Sequence, residues 1–440
     1  MNNSSINALQ ELQKEYCLCS FNSQIKVGML KEIEEIKKGK RKEDINAYSR
    51  ADGKLLMQRY LEKLPYSIKT EEIINEFFIS PQTTSYNKVI FSPTACNKET
   101  LNYWVPPKLK AVKGSTSIIG SFLREVICDS DPDLFTYLTR FLAHMVQKPS
   151  EKPGVMLILL GGQGIGKGTF FNLIQKIWDG STLLVSDVEH VIGGFNGALE
   201  RNFIVCMDEA IFSGQKKAIE RLKSFVTEPM IQIEKKYVPR QEIRSIHRFI
   251  ASSNQKHFGN VDLDDRRFLF FRVSEKYKED TAYWNNLYDA LNDQKQLEAV
   301  FHKLKNMDLS NYNVRKKPIT KELFTQKLKS LSGFARYWFE VLNLGYLDIG
   351  SNSSPYIKFD ESFIDSQKLI FYYDDFYKRT RQYNPRQFSE VREGLSEWCP
   401  SAKHTRKKID GDHKRGYQLP NILDARKDFE SNIGSKISWN

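Results

Sequence analysis

No long hydrophobic run interrupts this 440-residue chain: the apolar stretch near its middle, Val155 to Leu160, is far shorter than the roughly 20 residues a membrane span needs. The first residues, with Asn2, Asn3, Ser4 and Ser5, are polar and carry no targeting pattern. A cytoplasmic protein without a membrane partner is therefore expected. Cysteine is sparse as well. The residues at 17, 19, 96, 128, 206 and 399 form no repeated CxxC pair and have no neighbouring His pair, which excludes a tetrahedral zinc site and leaves reduced thiols as the expectation. Nor is there a convincing internal repeat. Negative charge is in deficit: 66 Lys and Arg face 54 Asp and Glu, a net charge of +12. Such a surplus favours a polyanionic partner over a neutral one.

At roughly 150 residues per domain, the length supports about three folding units. A 40% hydrophobic and 12% aromatic composition supplies their cores. Residues 1–114 read as a mixed α/β region: helical and charged to about residue 75, with the run Lys31 to Asp44 as a solvated helix face or hinge, then short strands at Tyr86 to Ser92 and Thr100 to Val105. Residues 115–150 are predicted to form two antiparallel helices, a bundle acting as a collar or oligomerisation element, with Asp131 and Pro132 opening the second. Between 151 and 310 the apolar runs Val155 to Leu160, Leu183 to Ser186, Phe203 to Met207, Phe249 to Ala251 and Phe268 to Val273 alternate with helical stretches. This alternation predicts an α/β fold whose mainly parallel five-stranded sheet is covered on both faces. A last unit, 321–440, follows the basic stretch Arg315 to Lys317 and contains the loop Gly350 to Pro355. Residues 315–440 hold 23 Lys and Arg against 16 Asp and Glu, so positive charge concentrates at this end.

The first of the apolar runs leads straight into Gly161, Gly162, Gln163, Gly164, Ile165, Gly166, Lys167, Gly168 and Thr169, followed by the helical pattern Phe170, Phe171, Leu173, Ile174 and Ile177. Strand, glycine loop and helix in this order make a phosphate cradle. Glycines let backbone N–H groups turn inward, the helix N-terminus adds partial positive charge, and Lys167 reaches the β- and γ-phosphates. One position departs from the usual pattern: Gly168 follows the lysine and the hydroxyl comes one place later, at Thr169, which weakens its assignment as a magnesium ligand. The same Gly-Lys-Gly-Thr order occurs in adenylate kinases, so the loop alone does not separate a phosphotransferase from a hydrolase.

The strand ending at Met207 continues into Asp208 and Glu209. A carboxylate at the end of a neighbouring strand suits Mg2+, and a second suits the attacking water, so Asp208 is assigned to the metal and Glu209 to the water; helix capping is the bland alternative. Asn254, at the next strand end, is placed to hydrogen-bond a γ-phosphate or the water. Arg266 and Arg267, after Asp264 and Asp265, either pair with those aspartates or reach a neighbouring subunit's site as a finger. Residues 230–243 read as a hairpin, with Lys235, Lys236, Tyr237 and Arg240 near its tip as candidate contacts to a nucleic-acid backbone.

Taken in order, GGQGIGKGT, MDEA, IEKKYVPR, ASSN and DDRRF resemble the superfamily 3 helicases of viruses, phages and plasmids, a branch of the AAA+ ATPases. The resemblance is strongest over 153–273 and narrows to the primase-helicase group of phages and phage satellites, including the Rep initiators of pathogenicity islands. It implies an ATP- and Mg2+-dependent homo-oligomeric ring, usually a hexamer, with ATP at subunit junctions and pore hairpins that step 3′ to 5′ along one DNA strand. In that scheme Lys167 and Thr169 bind phosphates, Asp208 and Glu209 serve metal and water, Asn254 senses the γ-phosphate, and Arg266 or Arg267 completes the neighbour's site. Many relatives carry a primase domain, but the N-terminal 150 residues show no paired-carboxylate metal motif and primer synthesis is not expected.

Toward the C-terminus, the helical run Phe388, Val391, Leu395 and Trp398 precedes the basic cluster Lys403, His404, Arg406, Lys407 and Lys408, a turn at Asp410 to Asp412, and a return strand with Lys414 and Arg415. Helix, basic segment and hairpin suggest a winged helix on duplex DNA, and hence origin recognition. Two other functions stay open on the sequence: a nucleotide phosphotransferase, and an ATP-switched DNA-binding assembly protein that does not unwind.

Overall fold

The structure, a computed structural model, describes the chain apart from residues 1–2, 22–23, 39–44, 66–67, 210–215, 236–237, 255–257, 259–264, 319, 349–357, 360–362, 380–387, 410, 435 and 440. It divides into one unit of residues 1–258 and 266–318 and a second of 259–265 and 319–440. The expected loop Gly350 to Pro355, the hairpin-tip residues Lys236 and Tyr237, Asp264 and the turn residue Asp410 lie outside the described residues.

The first unit opens with helix α1 (Asn3–Glu15) and a hairpin, β1 (Tyr16–Phe21) with β2 (Gln24–Met29), followed by α2 (Leu30–Lys37), α3 (Arg50–Leu61) and α4 (Thr70–Ile79). The purely helical reading of residues up to 75 is thus corrected. A six-residue apolar run suits a strand or a buried helical turn equally well, and pairing partners distant in sequence decide between them. Alternation on β1 sends Leu18 into a cluster with Ala8, Leu12, Met57 and Phe77, and Cys17 and Cys19 into another with Ile33, Ile36 and Tyr103. Short strands β3 (Ser85–Tyr86), β4 (Lys88–Ile90) and β5 (Thr100–Asn102) complete this region, β4 and β5 pairing in parallel.

Helix α5 (Ser117–Ser121) continues as a π-helix over Phe122–Ile127, and α6 (Pro132–Gln147) is capped by the Asp131 side chain, which accepts from the N–H groups of Asp133 and Leu134. Residues of both, among them Ile119, Phe122, Leu138 and Phe141, share one apolar core with the sheet that follows. That sheet is built from β6 (Met156–Leu160), β7 (Thr182–Val185), β8 (Ile204–Met207), β11 (Arg248–Ser253) and β12 (Phe268–Arg272), in the order β12-β6-β11-β8-β7. All its pairings are parallel. Every residue of β6 and β8 is buried, as expected for strands covered on both faces. Helix α7 (Lys167–Ile177) follows β6, α8 (Glu189–Ile192) follows β7, and α9 (Lys216–Thr227) follows β8. A separate antiparallel hairpin of β9 (Met230–Lys235) and β10 (Val238–Arg244) is inserted before β11. Helices α10 (Thr281–Asn292) and α11 (Gln294–Lys305) close the unit.

In the second unit, α12 (Lys321–Ser330), α13 (Gly333–Leu344), α14 (Ser366–Arg379), α15 (Phe388–Trp398) and α16 (Ile422–Ile433) accompany an antiparallel sheet of β13 (Phe363–Asp365), β14 (Lys403–Ile409) and β15 (Asp412–Gln418), in the order β13-β15-β14. Its core holds Phe334, Trp338, Tyr373, Leu395, Trp398, Tyr417 and Phe429. Gly416 is required where β13 crosses closely, because a Cβ there would stand 2.1 Å from the carbonyl oxygen of Ile364.

The amino ends of the large sheet are secured by buried cations and histidines. Arg248, fully buried, donates to the carbonyls of Ile246, Lys148 and Glu151. His247 bonds Ser245 Oγ through Nδ1 and the Leu199 carbonyl through Nε2. Burial holds the imidazoles of His247 and His144 down at about 4, with the Arg248 charge adding to the effect on His144. The unfolded chain, whose histidines titrate near the ordinary 6.5, therefore takes up protons first as the pH falls. Stability contributed by the neutral rings is complete above about pH 6.5 and declines toward pH 4. By pH 5 the loss at His247 is expected to be about 2 kcal/mol, read as a falling urea midpoint. His247→Gln, which stays neutral, is expected to flatten that decline, and an unchanged slope would refute the assignment.

Candidate functional site

Parallel pairing brings the carboxyl ends of β6, β11 and β8 to one edge of the sheet, since Leu160 stands opposite Ser253 and Ala251 opposite Met207. At that edge β6 passes into Gly161–Gly166 and α7, while β8 delivers Asp208 and Glu209 and β11 delivers Asn254. The loop reverses through positive-φ glycines at 161, 164 and 166. Gly166 has no substitute: its φ is +102°, and a Cβ would lie 2.7 Å from the Trp284 ring and 3.1 Å from that of Phe122.

Lys167, buried, donates to the Gly161 carbonyl at 2.8 Å, to the Gly162 carbonyl, and to Asn254 Oδ1 at 2.7 Å. Burial lowers the proton affinity of its amine, and the carboxylates of Asp208 and Glu209 oppose that shift. Asn254 turns its other end to Glu209, donating from Nδ2 to Oε1 at 3.1 Å. A continuous chain of contacts thus links Lys167, Asn254 and Glu209. Asp208 Oδ1 accepts from Ser252 Oγ and from the Glu209 N–H. Glu209 has a φ of +52°, a left-handed conformation that costs a side-chain-bearing residue roughly 1–2 kcal/mol. The two carboxylates at this corner take different partners: Asp208 is tied to Ser252 of β11 and Glu209 to Asn254.

The cavity here, about 440 Å³, is lined by Gln163, Gly164, Gly166, Lys167, Gly168, Thr169, Asp208, Glu209 and Asn254, and on its far wall by Lys278, Trp284 and Tyr288. The sequence reading missed these last three. Trp284 and Tyr288 lie four apart on α10, a spacing that does not separate core from cavity, and the packing of α10 beside the loop turns them to the cavity. Thr169 is buried, with its hydroxyl 3.3 Å from that of Tyr288. An inward-folded loop, a lysine and two oriented carboxylates can hold a polyphosphate, supply hard oxygen to a divalent cation and accept a proton from water.

Other candidates lie elsewhere. Arg266 is exposed and Arg267 half-buried, and both precede β12, where the Arg267 carbonyl accepts from Met156 N–H. They therefore stand at the amino edge of the sheet, about 17 Å from the loop edge by strand rise. In the hairpin, Lys235 pairs with Glu200 and Arg240 with Glu234 at 2.9 Å. The hairpin is fixed to the sheet unit by buried Asn196, which donates to the Gln232 carbonyl and accepts from Glu234 N–H as a surrogate strand. In the second unit, Lys403, Arg406, Lys407, Lys408 and Arg415 are exposed and Lys414 half-buried on the β14–β15 ribbon. Arg406 lies opposite Arg415 and Lys407 opposite Lys414, pairs of like charge that oppose the folding of an isolated hairpin.

Comparison with known proteins gives three findings. Residues 159–267 match a family of unknown function (DUF5906). The DNA primase-polymerase of Nitratiruptor phage NrS-1 is 27% identical over 187 residues, 42% of this chain but 26% of that protein, so the match spans about a quarter of the relative. The apo structure of the NrS-1 C-terminal region (305–718) superposes with a TM-score of 0.66 at 17% identity, covering 96% of this chain and 100% of that one. A second structure of that region, in its A form, gives 0.63 over 95%. The chain shares the fold of the NrS-1 C-terminal region.

The left-handed corner gives a direct test. Glu209→Gly is expected to be about 1 kcal/mol more stable than Glu209→Ala, since both lose the carboxylate and only glycine relieves the backbone. Equal denaturant midpoints would mean that Glu209 carries no such strain.

Proposed function

We propose that this chain is an ATP-hydrolysing DNA helicase of phage-type replication. The observation that carries the reading is the meeting of Lys167, Asp208, Glu209 and Asn254 at one sheet edge, around a cavity closed by a glycine loop and a helix N-terminus. The shared fold and partial identity with the NrS-1 protein, whose name is that of a replication enzyme, support the DNA substrate.

In this reading the loop N–H groups and Lys167 hold the β- and γ-phosphates of ATP. Asp208, half-buried and oriented by Ser252, offers the hard oxygen that suits Mg2+, which when bound neutralises charge on the phosphates. Glu209 takes the proton of the attacking water as that water's oxygen bonds to the γ-phosphorus and the β–γ bridging bond breaks, yielding ADP and phosphate. Asn254, touching both Lys167 and Glu209, couples phosphate contact to the position of the base. Trp284 and Tyr288 offer aromatic surface for the nucleobase.

Arg266 and Arg267, distant from their own loop, serve as fingers for a neighbouring subunit in a homo-oligomeric ring, a hexamer. The β9–β10 hairpin faces the DNA strand in the ring's channel, and translocation runs 3′ to 5′. The second unit, with its helices, three-stranded sheet and cationic ribbon, acts as a winged-helix-like duplex reader at an origin: like-charged cross-strand pairs on the ribbon are relieved by phosphates.

Lys167→Ala is expected to abolish ATP hydrolysis, and Glu209→Gln to lower it by about 10² or more, with release of a strand from a forked duplex lost in both. Mixing Lys167→Ala with Arg267→Ala is expected to restore part of the activity through shared sites. Hydrolysis that survives Lys167→Ala refutes the assignment. Arg406→Glu with Arg415→Glu is expected to weaken duplex binding and flatten its salt dependence while leaving hydrolysis intact.

A further inference from the structure

A second cavity in the first unit, about 490 Å³, has no role in the hydrolytic site. One wall is β4 and the segment through Thr94; the other is residues 241–244 of β10, the return strand of the hairpin. Its floor holds Ile90, Phe91, Tyr103, Ile246 and His247. Both ring nitrogens of His247 are engaged by Ser245 and Leu199, so the imidazole is wall rather than ligand. Arg201 stacks its guanidinium on the Tyr103 ring, 3.6 Å from the centroid. Burial pulls its proton affinity down to about 10, still leaving it charged at neutral pH.

Cations in this cavity outnumber carboxylates three to two. Lys88, Arg201 and Arg244 face it together with Glu200 and Glu242, and the Glu200 carboxylate is taken up by Lys235. Lys88 and Arg244 are exposed at the mouth together with the Glu242 carboxylate, whereas Ile90 and Phe91 are half-buried and Tyr103 and Ile246 are buried. The volume falls within the roughly 300–1,000 Å³ typical of small-molecule pockets. Aromatic and guanidinium planes below, with cations at the rim, match a nucleotide unit: base inside, phosphates outside.

We infer that this cavity between β4 and the base of the β9–β10 hairpin receives one nucleotide of a single DNA strand, its base against the Tyr103–Arg201 stack and its flanking phosphates against Lys88 and Arg244. The choice of DNA as occupant rests on the proposed function; the cationic, aromatic-floored cavity does not. A strand running along the hairpin would be held at this point independently of nucleotide state.

The test uses the full chain without ATP and an oligo-dT strand carrying 4-thiothymidine. Photocrosslinks are expected at Phe91 or Tyr103. The double variant Lys88→Ala/Arg244→Ala, whose two side chains are exposed, is expected to weaken oligo-dT binding about tenfold and to reduce the magnitude of the log–log salt slope by about 1.4, at roughly 0.7 per phosphate contact on a single strand. DNA-free ATP hydrolysis is expected to stay unchanged, which also shows that the variant is folded. Unaltered affinity and slope, or crosslinks confined to the β14–β15 ribbon, would overturn the inference. A wild-type chain that binds oligo-dT here but hydrolyses no ATP would instead sink the motor reading and leave this site standing.

Discussion

The parallel register of β8, β11 and β6 is the constraint on which the rest of this structure depends. Three strands entering from separate parts of the chain end together only because their ladders are parallel and in step. Shift β11 by one residue and Ser252 and Asn254 would exchange faces with their neighbours, since side chains alternate along a strand. Asn254 would then leave both Lys167 and Glu209. The ladder itself is secured at its amino end by Arg248, which donates to three backbone carbonyls, and by His247, which bonds the Leu199 carbonyl and the Ser245 hydroxyl. Polar groups at one edge of the sheet thus sustain the geometry of polar groups at the other.

Local strain and close packing concentrate at the same edge. Glu209 is held left-handed, Gly166 is pressed between Phe122 and Trp284, and Phe122 belongs to a π-helical turn. π-Helical turns are rare and gather near functional sites. Here the turn helps to press Phe122 against the loop, so the first helical segments of residues 115–150 contribute directly to the cradle's shape.

Much of this was legible in the residues. The glycine loop between an apolar run and a helical pattern announced its own geometry, because positive-φ reversal favours glycine. Apolar runs of three to six residues spaced by helical patterns led to a five-stranded parallel sheet. Other parts were not legible. The β1–β2 hairpin hides in a charged helical context, and its apolar residues are too few to reveal a period. Trp284 and Tyr288 carry no signal of their own, because an aromatic at helical spacing looks the same whether it faces core or cavity. Asn196, which stands in for a strand beside β9, is an ordinary loop asparagine in sequence.

Sequence by itself determined the elements whose chemistry is local: the glycine cradle, the carboxylate pair after a buried strand, and the basic ribbon near the C-terminus. Only the tertiary structure decided which distant groups meet. It joined Lys167 to Asn254 across 87 residues, set Arg266 and Arg267 at the far edge of the sheet, and placed Arg201 on Tyr103 beside a cavity. The physical reason is that turn and helix preferences act over a few residues, whereas strand register and burial act between segments whose separation along the chain leaves no periodic trace.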